Sequence, residues 1–251
     1  MGEVELTVAD NSELQAAYES FASGLLHDAF QALQRHLTQQ PDCGRGWELL
    51  GLVYHAWQQW GPGLAALEEA SVRVPMSPVG DCALADCYLA VGKQNWARDL
   101  YRQLIQRKQV PLSALLGAAS GLDVLSESRL AALACRRAIK MDPSAARPHF
   151  DLSYYLTRCG SSISRIEASA RRAIKLAPGN MAYRVGLAGF LHSQNRPGDA
   201  VQLLQEFSVE YVQLMRCRCC LTRLIGLFEA VGDEERASWC RLRQEVLCFG
   251  E

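Results

Sequence analysis

Along the stretch WELLGLVYHAW, residues 47–57, Trp47, Leu50, Gly51 and Tyr54 sit at relative positions 0, 3, 4 and 7, one face of an α-helix. A glycine in mid-stripe costs roughly 0.8–1.0 kcal/mol against alanine, so the missing side chain predicts a second helix lying close to that face. Small residues recur at a fixed interval elsewhere. Ala29, Gly63, Ala97, Ala131 and Ala200 share one slot of a 34-residue frame, and Ala70, Ala138 and Ala173 share another.

The helix breakers keep the same ruler. Pro41 and Pro75 are 34 residues apart, Pro143 lies twice that distance beyond Pro75, and Pro178 follows after 35, while Pro111 falls two residues late. Gly24, Gly92 and Gly160 are separated by 68 residues each, and Asn195 and Gly232 hold the matching slot later. Glycine and asparagine are the usual left-handed stops of a helix, and proline ends the unit. Gln58 and Ser126 depart from this pattern. The period predicts a lead-in over 1–9, six helix pairs at 10–43, 44–77, 78–111, 112–145, 146–180 and 181–214, and a divergent capping pair within 215–251.

The series Trp47, Leu50, Gly51, Tyr54, Leu67, Ala70 and Pro75 resembles a tetratricopeptide repeat, and units three and four match through Leu84, Ala85, Tyr88, Ala97, Tyr101, Ala118, Ala119, Ala131, Ala138 and Pro143. The resemblance spans about 200 residues and is weakest in unit one, in the first helix of unit five and after residue 214. It implies an all-α fold: a right-handed superhelical solenoid of antiparallel helix pairs, whose first helices line a concave surface. In such a fold Gly51 would admit the second helix of its unit while Trp47, Leu50 and Tyr54 fill the seam.

By that resemblance, the residues facing the groove include Tyr18, Arg45, Glu48, His55 and Asp86, and in unit five Arg147, Phe150, Tyr154 and Arg158. Aromatic and arginine side chains dominate interface hot spots, so the unit-five group is the foremost candidate. The implied activity is non-catalytic: presentation of a preformed groove to a peptide or protein partner. A chaperone-tail clamp would need lysines and asparagines where this chain has Glu48, Leu52, Cys82, Asp86, Leu116 and Ser120.

Composition narrows the classes. Lys plus Arg number 26 and Asp plus Glu 27, so the formal charge of -1 gives no overall attraction to nucleic acid or to an anionic membrane. No run of 18 apolar residues occurs, and the N-terminal residues lack the apolar core of a secretory signal. With ten cysteines but no such signal, a reducing compartment and a cytoplasmic location are the expectation.

Local chemistry adds rivals to the groove. CRRAIKMDP and ARRAIKLAP repeat Arg136, Arg137 and Lys140 as Arg171, Arg172 and Lys175, a basic set that equally serves to oppose the helix dipoles. Trp57 and Trp60 near the unit-two turn form either an exposed ledge or a staple on the neighbouring unit. In MRCRCC, a helix would put Cys217 and Cys220 on one face and turn Cys219 away, so no metal site or cofactor is expected, and a metal or redox role stands as a minor alternative. Trp239, Leu242, Val246, Leu247 and Phe249 leave the last helix apolar enough to make self-assembly a rival to a foreign partner. Five scattered histidines, with no H-E-x-x-H, G-x-S-x-G, G-x-G-x-x-G or P-loop spacing, offer no catalytic machinery.

Overall fold

The computed structural model describes residues 3–249, with side chains described for residues 12–248. Among the described residues the chain is all-helical, with no strand. It divides into two units, Met1–Met141 and Asp142–Glu251.

The first unit contains α1 (Glu3–Ala22), α2 (Leu26–Gln39), α3 (Gly44–Ala56), α4 (Trp60–Arg73), α5 (Pro78–Ala90), α6 (Gln94–Leu104), α7 (Leu112–Val124) and α8 (Ser128–Met141), which pack as successive pairs. Helix α1 is already formed at Glu3, within the stretch read as a lead-in, because no glycine or proline stands between Glu3 and Ala22 to break it. The side chains of residues 1–11 lie outside the described residues.

Why α3 carries a glycine is now explicit. A Cβ on Gly51 would stand 2.4 Å from Leu67 Cγ on α4, and Leu67 has no exposed surface into which to withdraw. A parallel case was not singled out beforehand: a Cβ on Gly121 of α7 would stand 2.3 Å from Tyr101 Cζ on α6. The helices approach where one partner lacks a side chain.

The reversals between paired helices share one geometry. Gly24, Gly92, Gly160 and Gly232 have positive φ, and so do Gln58 (φ 58°), Ser126 (φ 61°) and Asn195 (φ 58°). Gln58 and Ser126 therefore follow the pattern in backbone although not in residue type. At Gln58 the N–H donates to His55 O at 2.9 Å and the next N–H, of Gln59, donates to Tyr54 O at 2.9 Å; Ser126 and Glu127 repeat this with Asp123 O and Leu122 O. These paired bonds are the Schellman stop, which satisfies the last carbonyls of the first helix.

The second unit contains α9 (Ala146–Arg158), α10 (Ile163–Leu176), α11 (Met181–Ser193), α12 (Pro197–Gln202), α13 (Val209–Leu214), α14 (Arg218–Ala230) and α15 (Glu234–Phe249). Where a single second helix after α11 was expected, the backbone breaks between Gln202 and Val209 into two six-residue helices. Burial persists across the break, since Leu204, Phe207, Val212 and Met215 all join the core with Leu221, Leu224, Leu227 and Phe228.

Two substitutions separate seam from stop. Gly51→Ala should lower stability by roughly 1–2 kcal/mol, because overpacking outweighs the gain in helix propensity. Ser126→Gly should raise it by about 0.5–1 kcal/mol by relieving a left-handed backbone that costs a side chain energy. Urea unfolding of each variant against the parent measures both signs.

Candidate functional site

The sequence candidates of the first unit fall into two polar arrangements. Glu48 is buried, with 3% of its surface exposed. Its Oε2 accepts from Arg45 Nη1 at 2.6 Å, and its Oε1 accepts from the backbone N–H of Ser77 at 2.8 Å. Ser77 is the N-cap of α5, so Glu48 anchors the start of that helix, with its charge favourably placed at the positive end of the dipole. Glu48 is thus removed from the partner-facing set: its carboxylate is spent inside the stack. Tyr18 remains 38% exposed, and burial, followed by the neighbouring Glu48, pushes its hydroxyl pKa up.

His55 and Asp86 come together. His55 Nε2 lies 2.8 Å from Asp86 Oδ2, and Tyr101 donates its hydroxyl to Asp86 Oδ1 at 2.5 Å. Trp60 meets the His55 ring edge-on at 5.5 Å. The Tyr101 ring is fully buried against Gly121, so Asp86 ties α3, α5 and α6 through one carboxylate. Burial first, and Asp86 second, hold the Tyr101 hydroxyl far above its ordinary pKa. The arrangement is a structural tie between three helices, with the buried Cys82 and Cys87 thiols close to the Asp86 carboxylate. The hidden Tyr101 contribution had only the match of Tyr101 to the repeat pattern as a signal.

Trp57 stands 5.3 Å from Phe30 of α2 and 6.2 Å from Tyr54, which makes it a staple on the preceding pair. Arg137 donates to the Ile105 and Arg107 carbonyls at the end of α6, so one member of the basic set closes another helix's C-terminus.

In the second unit α9 brings its four candidates to different ends. Phe150 stacks on Tyr183 at 4.6 Å, and its ring covers Gly186, where a Cβ would meet Phe150 Cζ at 2.5 Å. Phe150 is therefore largely a packing residue between α9 and α11. Tyr154 is 47% exposed; it meets Tyr155 edge-on at 5.4 Å, and Arg158 lies 5.9 Å from its ring centroid with Nη1 donating to the Tyr154 hydroxyl at 3.3 Å. Arg147 pairs with Asp151 at 3.4 Å. The surface that results carries an exposed, arginine-braced tyrosine on the helix that also supplies the Phe150–Tyr183 stack.

At the start of α14 the cysteines are arranged differently from the expectation. Cys217 is the extended N-cap (φ −88°, ψ 103°) rather than a helical residue, so its Sγ accepts from the Cys220 N–H at 3.4 Å and lies 2.9 Å from Cys219 Sγ. Cys219 does not turn away: all three sulfurs lie within 4.8 Å of one another. Helical geometry begins only at Arg218, one residue later than the spacing implies, and this redirects the Cys217 side chain.

Comparison with known proteins places the fold. No protein-family profile matches the sequence, and no curated protein does. Solved structures do match: a tetratricopeptide repeat protein from Parabacteroides merdae (TM-score 0.68, 13% identity, 96% of this chain and 94% of that one) is among them. Others are Pseudomonas aeruginosa pilF (TM-score 0.65, 17% identity, 83% and 93%) and YrrB, described as a tetratricopeptide-repeat protein with an unusual peptide-binding site (TM-score 0.56, 13% identity, 76% and 97%). The chain has the all-α tetratricopeptide-repeat fold. No helix among the described residues is long and apolar enough to cross a membrane.

The buried thiols around Asp86 make alkaline stability a readout of this region. Burial, and then the Asp86 charge, push Cys87 from 9.0 up to about 12, and Cys82 is raised for the same two reasons with Asp81 contributing. The folded state thus keeps protons that the unfolded chain loses above pH 9. Stability is full below that point and should fall by up to about 1.4 kcal/mol per pH unit for each such thiol as pH rises toward 12. Denaturant unfolding across this range should show a shallower decline in Cys87→Ala than in the parent.

Proposed function

We propose that the chain is a non-catalytic protein-interaction scaffold, and that α9 with α11 presents its peptide-binding surface. The observation that carries this reading is the exposure of Tyr154 beside Arg158, on a face whose neighbouring residues are already packed and so need no reordering on binding. The partner is a segment with an apolar or aromatic anchor that lies across Tyr154. YrrB, a tetratricopeptide-repeat protein with an unusual peptide-binding site, supports the class of activity for this fold.

A second reading has its own observation. Leu242 and Val246, four residues apart on α15, are 61% and 59% exposed, whereas Trp239 and Leu247 turn toward the core of their unit. Such a stripe suits docking of a second copy of the chain at its terminal helix. The side chain of Phe249, counted earlier with this set, lies outside the described residues.

Selection of a displayed random-peptide library on the purified protein tests the first reading. Enriched peptides should bind the parent and lose at least about tenfold affinity toward a folded Tyr154→Ala, Arg158→Ala double variant. Equal binding to both would move the site elsewhere. Sedimentation of the parent and of Leu242→Glu, Val246→Glu decides the second: only a concentration-dependent mass abolished by those changes supports self-docking.

A further inference from the structure

The cysteine cluster at the head of α14 is not used by either reading. Three sulfurs from a four-residue segment converge within 4.8 Å of one another, with Cys217 and Cys219 exposed and Cys220 half-buried. A metal bonded to three thiolates at about 2.3 Å holds its sulfurs roughly 4 Å apart, a spacing reached here by small side-chain rotations. The other cysteines of the second unit are outside this group.

We propose that Cys217, Cys219 and Cys220 form a three-thiolate site for a soft cation, of which Cu(I) is the fit. Soft thiolates select Cu(I) and zinc over the hard divalent ions, and three sulfurs complete a trigonal shell for Cu(I) while leaving zinc one ligand short of its tetrahedron. The backbone favours the charged form of the site. The segment opens a thirteen-residue helix, whose N-terminal amides and dipole stabilise negative charge.

Each ligation replaces an S–H bond with an S–metal bond and releases one proton for every thiol still protonated. No electron is transferred, and the tighter binding expected at higher pH follows from that exchange.

The test uses the full chain, fully reduced and free of dioxygen, loaded with Cu(I) or with zinc and desalted. The expected result is about one retained Cu(I) per chain with a near-ultraviolet thiolate-to-metal band, displacement of zinc by Cu(I), and affinity in chelator competition lowered more than about 100-fold in Cys219→Ser. Cys248→Ser, an exposed cysteine outside the cluster, should behave as the parent. Circular dichroism of Cys219→Ser confirms that the fold is retained, which its exposed position favours. No retention of Cu(I) by the reduced parent, equal retention by Cys219→Ser, or zinc that Cu(I) fails to displace would overturn the assignment.

Discussion

The structure depends on one constraint, the close approach of two antiparallel helices that are joined by a very short reversal. The approach requires an absent or small side chain at the seam, and the reversal requires one residue with a left-handed backbone. At Gly51 against Leu67 and at Gly121 against Tyr101 the first condition is met by removing a side chain altogether. The second condition is met even where the sequence supplies glutamine or serine, because the paired backbone bonds of the stop outweigh the local strain at Gln58 and Ser126.

Once the pairs are fixed, polar groups tie each pair to the next in the first unit. Glu48 reaches from α3 to the capping residue of α5, and Asp86 gathers His55 from α3 and Tyr101 from α6. Arg107 pairs with Asp81 at 2.5 Å and donates to Met76 O at 3.3 Å. Each of these groups has an internal partner, and for the buried Glu48 its loss would leave an unmet demand for hydrogen bonds. The candidate residues thus divide into those that join the stack and those that stay exposed. Glu48 and Phe150 belong to the former, while Tyr154 keeps nearly half its surface.

The two functional proposals rest on different physics. A tyrosine braced by arginine on rigid helices offers a preorganised anchor whose side chains lose little freedom when a partner docks. The cysteine cluster instead depends on a helix start, where a non-helical residue lets sulfur atoms from adjacent positions meet. It owes nothing to the repeat pattern, which is weakest in that part of the chain.

The sequence by itself determined the helix-pair period, the tetratricopeptide-repeat fold and the reason for Gly51, since those rest on local spacing and on the sizes of residues in phase. Only the tertiary structure decided which slot residues remain available. Burial of Glu48, stacking of Phe150 on Tyr183 and the Asp86 tie to Tyr101 depend on neighbours from other helices, which a periodic pattern does not name. The convergence of Cys217, Cys219 and Cys220 was hidden for a different reason. One residue's change from helical to extended backbone redirects its side chain, and helix boundaries are the least determined feature of any periodic pattern.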